Sequence, residues 1–133
     1  MNSLNGHITA IEVHGSLSLV HLKMDDDIFL KTIIVETPET ASYLTKGHPI
    51  RAIFKETEVV IGTMENHSIS LQNRIPGTIK KLERGVLISK ITLDSSIGEL
   101  VSIISTKAVE QLKLDIGLPI VAMIKLNEIM LSE

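Results

Sequence analysis

The feature that most restricts how this chain can fold is an internal repeat. Shifted by 70 positions, KGHPIRAIFKETEVVI (46–61) lies over IGLPIVAMIKLNEIML (116–131). The overlay matches Gly47 with Gly117, Pro49 with Pro119, Ile50 with Ile120, Ala52 with Ala122, Lys55 with Lys125 and Glu58 with Glu128. The same shift sets Ile33-Ile34 on Ile103-Ile104, Leu44 on Leu114, Gly15 on Gly85 and Leu17 on Leu87. Upstream the offset is 71, pairing Gly6 with Gly77 and Ile8 with Ile79, so one residue has been gained or lost in a turn. Two copies of one small domain are the economical solution. The sequence predicts a first domain over 1–64, a linker over 65–71 and a second domain over 72–133.

A domain of about 65 residues is marginal alone. With 44% hydrophobic residues but only 2% aromatic, its core has to be aliphatic. Both copies end in a largely apolar strand, EVVIGT (58–63) and EIMLSE (128–133), whose backbone and side chains need a partner. Association between copies, and between chains, is expected. The absence of cysteine excludes disulfides and thiolate metal sites and fits an intracellular protein. The opening MNSLNGHITA does not read as a signal peptide, and no apolar run approaches the ~20 residues of a membrane span. A net charge of −3, with no basic groove and few stacking aromatics, argues against nucleic acid as a partner. The expectation is a soluble, cytoplasmic protein with neither nucleic acid nor membrane as a partner.

Each copy reads mainly as β. In the second, GTIKKL (77–82), GVLISKITLD (85–94) and ELVSIIS (99–105) are rich in β-branched residues and bounded by Gly, Asp and Ser. TKAVEQLKLDIG (106–117) then spaces Ala108, Val109 and Leu112 along one helical face and stops at Gly117. In the first copy, TPET (37–40) offers Thr37 as N-cap, Pro38 at the first helical position and Glu39 near the positive helix end. Pro49 or Pro119 opens the next strand. The predicted fold class is therefore mainly β: two tandem small OB-like β-barrel domains, each plugged by one short α-helix, near 37–46 and 106–116.

These residues carry a resemblance. SLQNRIPG (70–77), VSIIS (101–105) and IKLNEIML (124–131) are similar, in that order, to the three signatures of the molbindin or Mop domains, grouped with the TOBE domains. Ser70, Asn73, Ile75 in place of Leu, and Gly77 keep the opening pattern. Over the whole chain the arrangement resembles the tandem di-Mop proteins. The resemblance implies binding of molybdate or tungstate and a trimer of two-domain chains. It also implies that the three segments converge on the anion, often across a subunit boundary. Carried over residue by residue, the implied oxyanion ligands are Ser70, Leu71, Gln72, Asn73, Ser102, Ser105, Lys125 and Asn127. Asn2, Thr32, Lys55 and Thr57 are the weaker first-copy candidates.

A tetrahedral dianion calls for donors and no carboxylates. SLQN offers a hydroxyl, amides and backbone N–H groups, Lys125 a charge-assisted bond, and Ser105 a helix start. Singly, Ser105 reads as an N-cap, Lys125 as a solvated strand residue and SLQN as a linker; in the family's order they read as a site. The family Arg is Gln72 here, and Arg74 does not occupy its position. Ala108 and Asn127 stand where serines are usual, Val35 replaces a hydroxyl, and Glu56 sets a carboxylate beside Lys55. The site is accordingly expected around the second copy.

No free metal cation site is expected. His7, His14 and His21 recur every seven residues, which alternates faces in a strand. Asp25-Asp26-Asp27 lacks the ligand spacing of a calcium loop and suits a hairpin tip. No nucleophile–base–orienter pattern stands out, so the chain is expected not to be an enzyme. The leading expectation is a cytoplasmic homo-oligomer, trimer favoured, that stores, buffers or senses molybdate or tungstate. The alternative is a regulatory or protein-interaction module of the same fold with weak or lost anion binding.

Overall fold

In the computed structural model, which describes residues 1–133, β-branched runs and turn residues divide the chain into ten strands. The first half supplies β1 (Asn2–His14), β2 (Leu17–Met24), β3 (Phe29–Ile34), β4 (Pro49–Phe54) and β5 (Val60–Gly62). The second supplies β6 (Asn73–Arg84), β7 (Ile88–Ser95), β8 (Gly98–Ser105), α1 (Thr106–Gln111), β9 (Pro119–Ile124) and β10 (Met130–Ser132). These form two curled, antiparallel five-stranded sheets, and each takes one strand from the other half. The orders are β10-β4-β1-β2-β3 and β5-β9-β6-β7-β8.

The two apolar terminal strands thus find their partners crosswise. β10 pairs with β4 (Met130↔Ile53, Leu131↔Ala52), and β5 pairs with β9 (Val60↔Met123, Ile61↔Ala122). The exchange buries Val59, Ile61 and Ile129 in a single core of 24 residues drawn from both halves. Burying a large aliphatic side chain is worth about 1.5–3 kcal/mol, so the three together contribute several kcal/mol. Sheet membership does not follow the boundaries 1–64 and 72–133: residues 60–62 belong to the second sheet and 130–132 to the first.

The two long strands carry matching irregularities. Register shifts fall between Ile8 and Ala10 in β1 and between Ile79 and Lys81 in β6, where an extra residue bends the strand. Gly6 and Gly77 allow the neighbouring strand to come close: a Cβ would lie 2.7 Å from the Lys23 carbonyl oxygen and 2.8 Å from that of Asp94. Strand pairing also relocates the offset change. Gly6↔Met24 corresponds to Gly77↔Ser95 and Val13↔Ser18 to Arg84↔Ser89, all at 71, whereas Leu30↔Leu22 corresponds to Leu100↔Leu93 with 30 + 70 = 100. The extra residue of the first copy therefore lies in the β2–β3 turn around Asp25–Asp27. Gly15/Gly85 and Leu17/Leu87 are not structural equivalents.

The helices differ as well. α1 forms as expected, with Ser105 as its N-cap, but the expected helix near 37–46 is a chain of turns. Its hydrogen bonds run Thr40 N to Thr37 O, Ala41 N to Thr37 O and Leu44 N to Ala41 O. The Thr40 hydroxyl meanwhile accepts from Thr37 N, at 2.9 Å. Hydroxyl side chains offer the backbone these local alternatives to a helix, whereas the Lys, Ala, Glu and Gln of α1 do not compete. The plugging role survives: Ala41 and Leu44 are buried, as Val109 and Leu114 are in the second copy. Tyr43 ties the turns down by donating to Glu36 Oε1 at 2.8 Å. Partial burial, then this bond, push its phenol up to about 12.

The exchange predicts that neither repeat is self-sufficient. Fragments 1–64 and 72–133 should each lack a dispersed amide NMR spectrum or should self-associate, and mixing them should restore the native spectrum. A well-dispersed monomeric spectrum from either fragment alone would contradict this arrangement.

Candidate functional site

Four of the expected ligands are buried and bonded between the halves. Asn73, the first residue of β6, is 1% exposed. Its Nδ2 donates to the Lys31 carbonyl at 2.8 Å and its Oδ1 accepts from Lys31 N at 2.7 Å. Asn2 makes the same two-bond clamp on Val101, both bonds 2.8 Å. Thr32 Oγ1 lies 2.6 Å from the Ile129 carbonyl and 3.1 Å from that of Leu126. Ser102 Oγ donates to the Val59 carbonyl at 2.8 Å. Every one of these bonds joins one repeat to the other, so these side chains position the surrounding segments.

The same contacts sort the candidates crosswise. The 3-10 turn Leu126–Glu128 packs on β3, and the 3-10 turn Glu56–Glu58 packs on β8. One group therefore contains Ser70, Leu71, Gln72, Asn73, Lys125 and Asn127 of the second copy with Lys31 and Thr32 of the first. The other contains Asn2, Lys55 and Thr57 of the first copy with Val101 and Ser102 of the second. Ser102 is separated from the other second-copy candidates and Thr32 from the first-copy ones. Ser105 stands at the far end of β8, opposite Ile88, and its hydroxyl accepts from Ala108 N at 3.1 Å. Lys31 and Val101, which the asparagines clamp, carry no sequence signal because their role arises from backbone groups.

The electrostatics of the two groups differ. In the Asn2 group, Glu56 is hydrogen-bonded to the amino group of Met1. That bond, with a backbone N–H and the field of Lys90, holds its carboxyl below the usual range. In the Asn73 group the position matching Glu56 is Leu126, since 56 + 70 = 126. The pairing Asn73↔Ile124 brings SLQN beside Lys125. Lys125 is exposed in extended backbone and takes part in none of the ion pairs of the chain. Ser70, Gln72 and Asn127 are exposed as well, Asn127 two residues along the chain from Lys125 and the other two in the segment that enters β6. A cation, a hydroxyl and two amides form a donor set suited to an oxyanion.

These donors stand on open surface. The largest cleft, about 620 Å³, lies instead around Asn5–His7, Lys23–Asp27 and Gly47, and none of the clefts is lined by Ser70, Gln72, Lys125 or Asn127. No group of three or more His, Asp or Glu is placed to hold a metal ion. His21 pairs with Glu12 at 2.6 Å, and Asp25–Asp27 forms the β2–β3 tip. No helix is long and apolar enough to cross a membrane.

Replacing Thr32 by Val leaves the Leu126 and Ile129 carbonyls without this donor. Loss of such a buried partner costs about 1–3 kcal/mol, so the urea midpoint of Thr32→Val should fall, as should that of Ser102→Ala. Unchanged midpoints would show that these hydroxyls do not hold the halves together.

Residues 69–131 match the TOBE domain family. No curated protein matches the chain. Among solved structures, the cytoplasmic molybdate-binding protein ModG, in a PEG-grown form with molybdate bound, has a TM-score of 0.91 at 24% identity. That match covers 98% of this chain and 94% of ModG, and it shows a common two-repeat fold. A molybdate-binding protein from Sporomusa ovata is 30% identical, covering 50% of this chain and 100% of its own, with a TM-score of 0.49.

Proposed function

We propose that this chain, which belongs to the TOBE family of molbindin-like domains and carries two of them in tandem, binds molybdate or tungstate. It does so in the cytoplasm, as a storage, homeostasis or sensing protein and not as an enzyme. The observation that carries this is the unpaired Lys125 beside SLQN, in a group with no counterpart of the Glu56 carboxylate. The molybdate bound to ModG, a protein of the same fold, supports the choice of anion. Ser70, Gln72, Lys125 and Asn127 are the contacting residues; Asn73 and Thr32 fix the segments that present them. Ser102 and Ser105 contribute less, because one is buried and the other caps α1.

The anion group of one chain is open, and the family resemblance sets such a group at a subunit boundary. Val86, Leu87 and Ile88, at the β6–β7 tip, are 94%, 80% and 62% exposed, an apolar surface suited to association. Both features support a homo-oligomer, with a trimer favoured by the family resemblance. A second function, a regulatory or protein-interaction module with weak or lost anion binding, is favoured by Gln72 in place of the family Arg and by the same apolar tip.

Titration calorimetry with molybdate, tungstate and sulfate separates the two. Losing a charge-assisted bond costs about 1.5–3 kcal/mol, roughly ten- to a hundredfold in affinity. Lys125→Ala should lose that much and Ser70→Ala should also weaken binding, whereas Lys55→Ala, beside Glu56, should bind nearly as the parent does. A parent that binds no oxyanion at millimolar concentration supports the regulatory module instead. Light scattering at micromolar concentration should report a particle well above the 14.6 kDa chain; a stable monomer would remove the enclosed site.

A further inference from the structure

We infer that Arg74 is a positioning residue that turns the SLQN peptide planes so that the backbone N–H groups of Ser70 and Gln72 face the anion. This rests on the oxyanion function proposed above. Arg74 lies in β6 between the buried Asn73 and Ile75, and its half-buried side chain folds back over residues 67–71. Its Nε donates to the Leu71 carbonyl at 2.9 Å, and its Nη2 donates to the His67 carbonyl at 2.8 Å and the Ile69 carbonyl at 3.4 Å. No carboxylate pairs with it. The segment is anchored at its start too, where His67 Nε2 lies 2.8 Å from the Thr63 carbonyl.

The consequence follows from peptide geometry. The chain contains no cis peptide bond, and in a planar trans peptide the C=O of one residue and the N–H of the next point in opposite directions. With the Ile69 and Leu71 carbonyls drawn toward the guanidinium, the Ser70 and Gln72 N–H groups point away from it. Neither N–H donates to another backbone group outside the strands or to a side chain. The two unpartnered N–H groups, two residues apart, are left free as donors to an anion, in the segment that the pairing Asn73↔Ile124 sets beside Lys125. Arg74 thus acts through the loop, with its own charge on the carbonyl side, which is why it does not replace the charge lost at Gln72. Two nitrogens of the planar fork hold carbonyls here, a geometry that a single ammonium does not reproduce.

The test compares Arg74→Lys and Arg74→Ala with the parent, using molybdate in calorimetry and following amide NMR shifts. In the parent, molybdate should move the Ser70 and Gln72 amide resonances more than those of Leu71 and Arg74. Loss of preorganisation should weaken both variants by roughly tenfold, with melting temperatures near that of the parent. Arg74→Lys should resemble Arg74→Ala; a direct Coulombic role would be rescued by lysine, and that rescue would overturn the inference. So would parent-like affinity in Arg74→Ala, or a parent titration that leaves the Ser70 and Gln72 amides unmoved. If Arg74→Ala fails to fold, Arg74→Lys alone decides by the same criterion. A parent that binds no molybdate overturns the proposed function and this inference together, whereas a binding parent with parent-like variants overturns only the latter.

Discussion

The exchange of terminal strands between the repeats is the constraint on which the rest of this structure depends. Each small sheet would otherwise end in an apolar strand with no partner and an incomplete core. Crosswise pairing of β10 with β4 and β5 with β9 satisfies both and merges two marginal cores into one. Side-chain bonds to backbone reinforce it at matching positions: Asn2 on Val101 and Asn73 on Lys31, Ser102 on Val59 and Thr32 on Ile129. These groups are buried, so each bond is expensive to leave unmade, and together they fix the register between the halves.

The same exchange decides where chemistry can occur. Because the turn after β9 lies on β3 and the turn after β4 lies on β8, any anion site is assembled from both repeats. The two groups of polar residues match in backbone but not in charge. Glu56 occupies one, and Leu126 takes its place in the other.

Much of the architecture is legible in the chain because repeats, β-branched runs and turn residues act locally. The succession of strands along each repeat, α1 and its Ser105 cap, and the need of both terminal strands for a partner all follow from such signals. The absence of a helix in the first copy is not legible, since Thr37, Pro38 and Glu39 look like a helix start, while the Thr40 hydroxyl bonds back to Thr37 and the chain settles into turns. The position of the inserted residue is misplaced for a different reason. Coincident glycines at 15 and 85 mimic an alignment that only the strand register disproves.

At the candidate site, sequence similarity selects the segments but not their grouping. Ser102 and Thr32 look like ligands because they are hydroxyls at motif positions, yet burial converts them into clamps. Arg74 looks idle because its partners are three backbone carbonyls, which leave no trace in side-chain patterns. The sequence by itself determined two aliphatic, mainly β repeats with unsatisfied terminal strands and an oxyanion-like donor motif, since periodicity and residue chemistry are local properties. Only the tertiary structure decided that the strands cross, that each polar group mixes both repeats, and which polar side chains remain free. Those outcomes depend on which backbone groups meet in space, and a chain read in one dimension does not contain that distance.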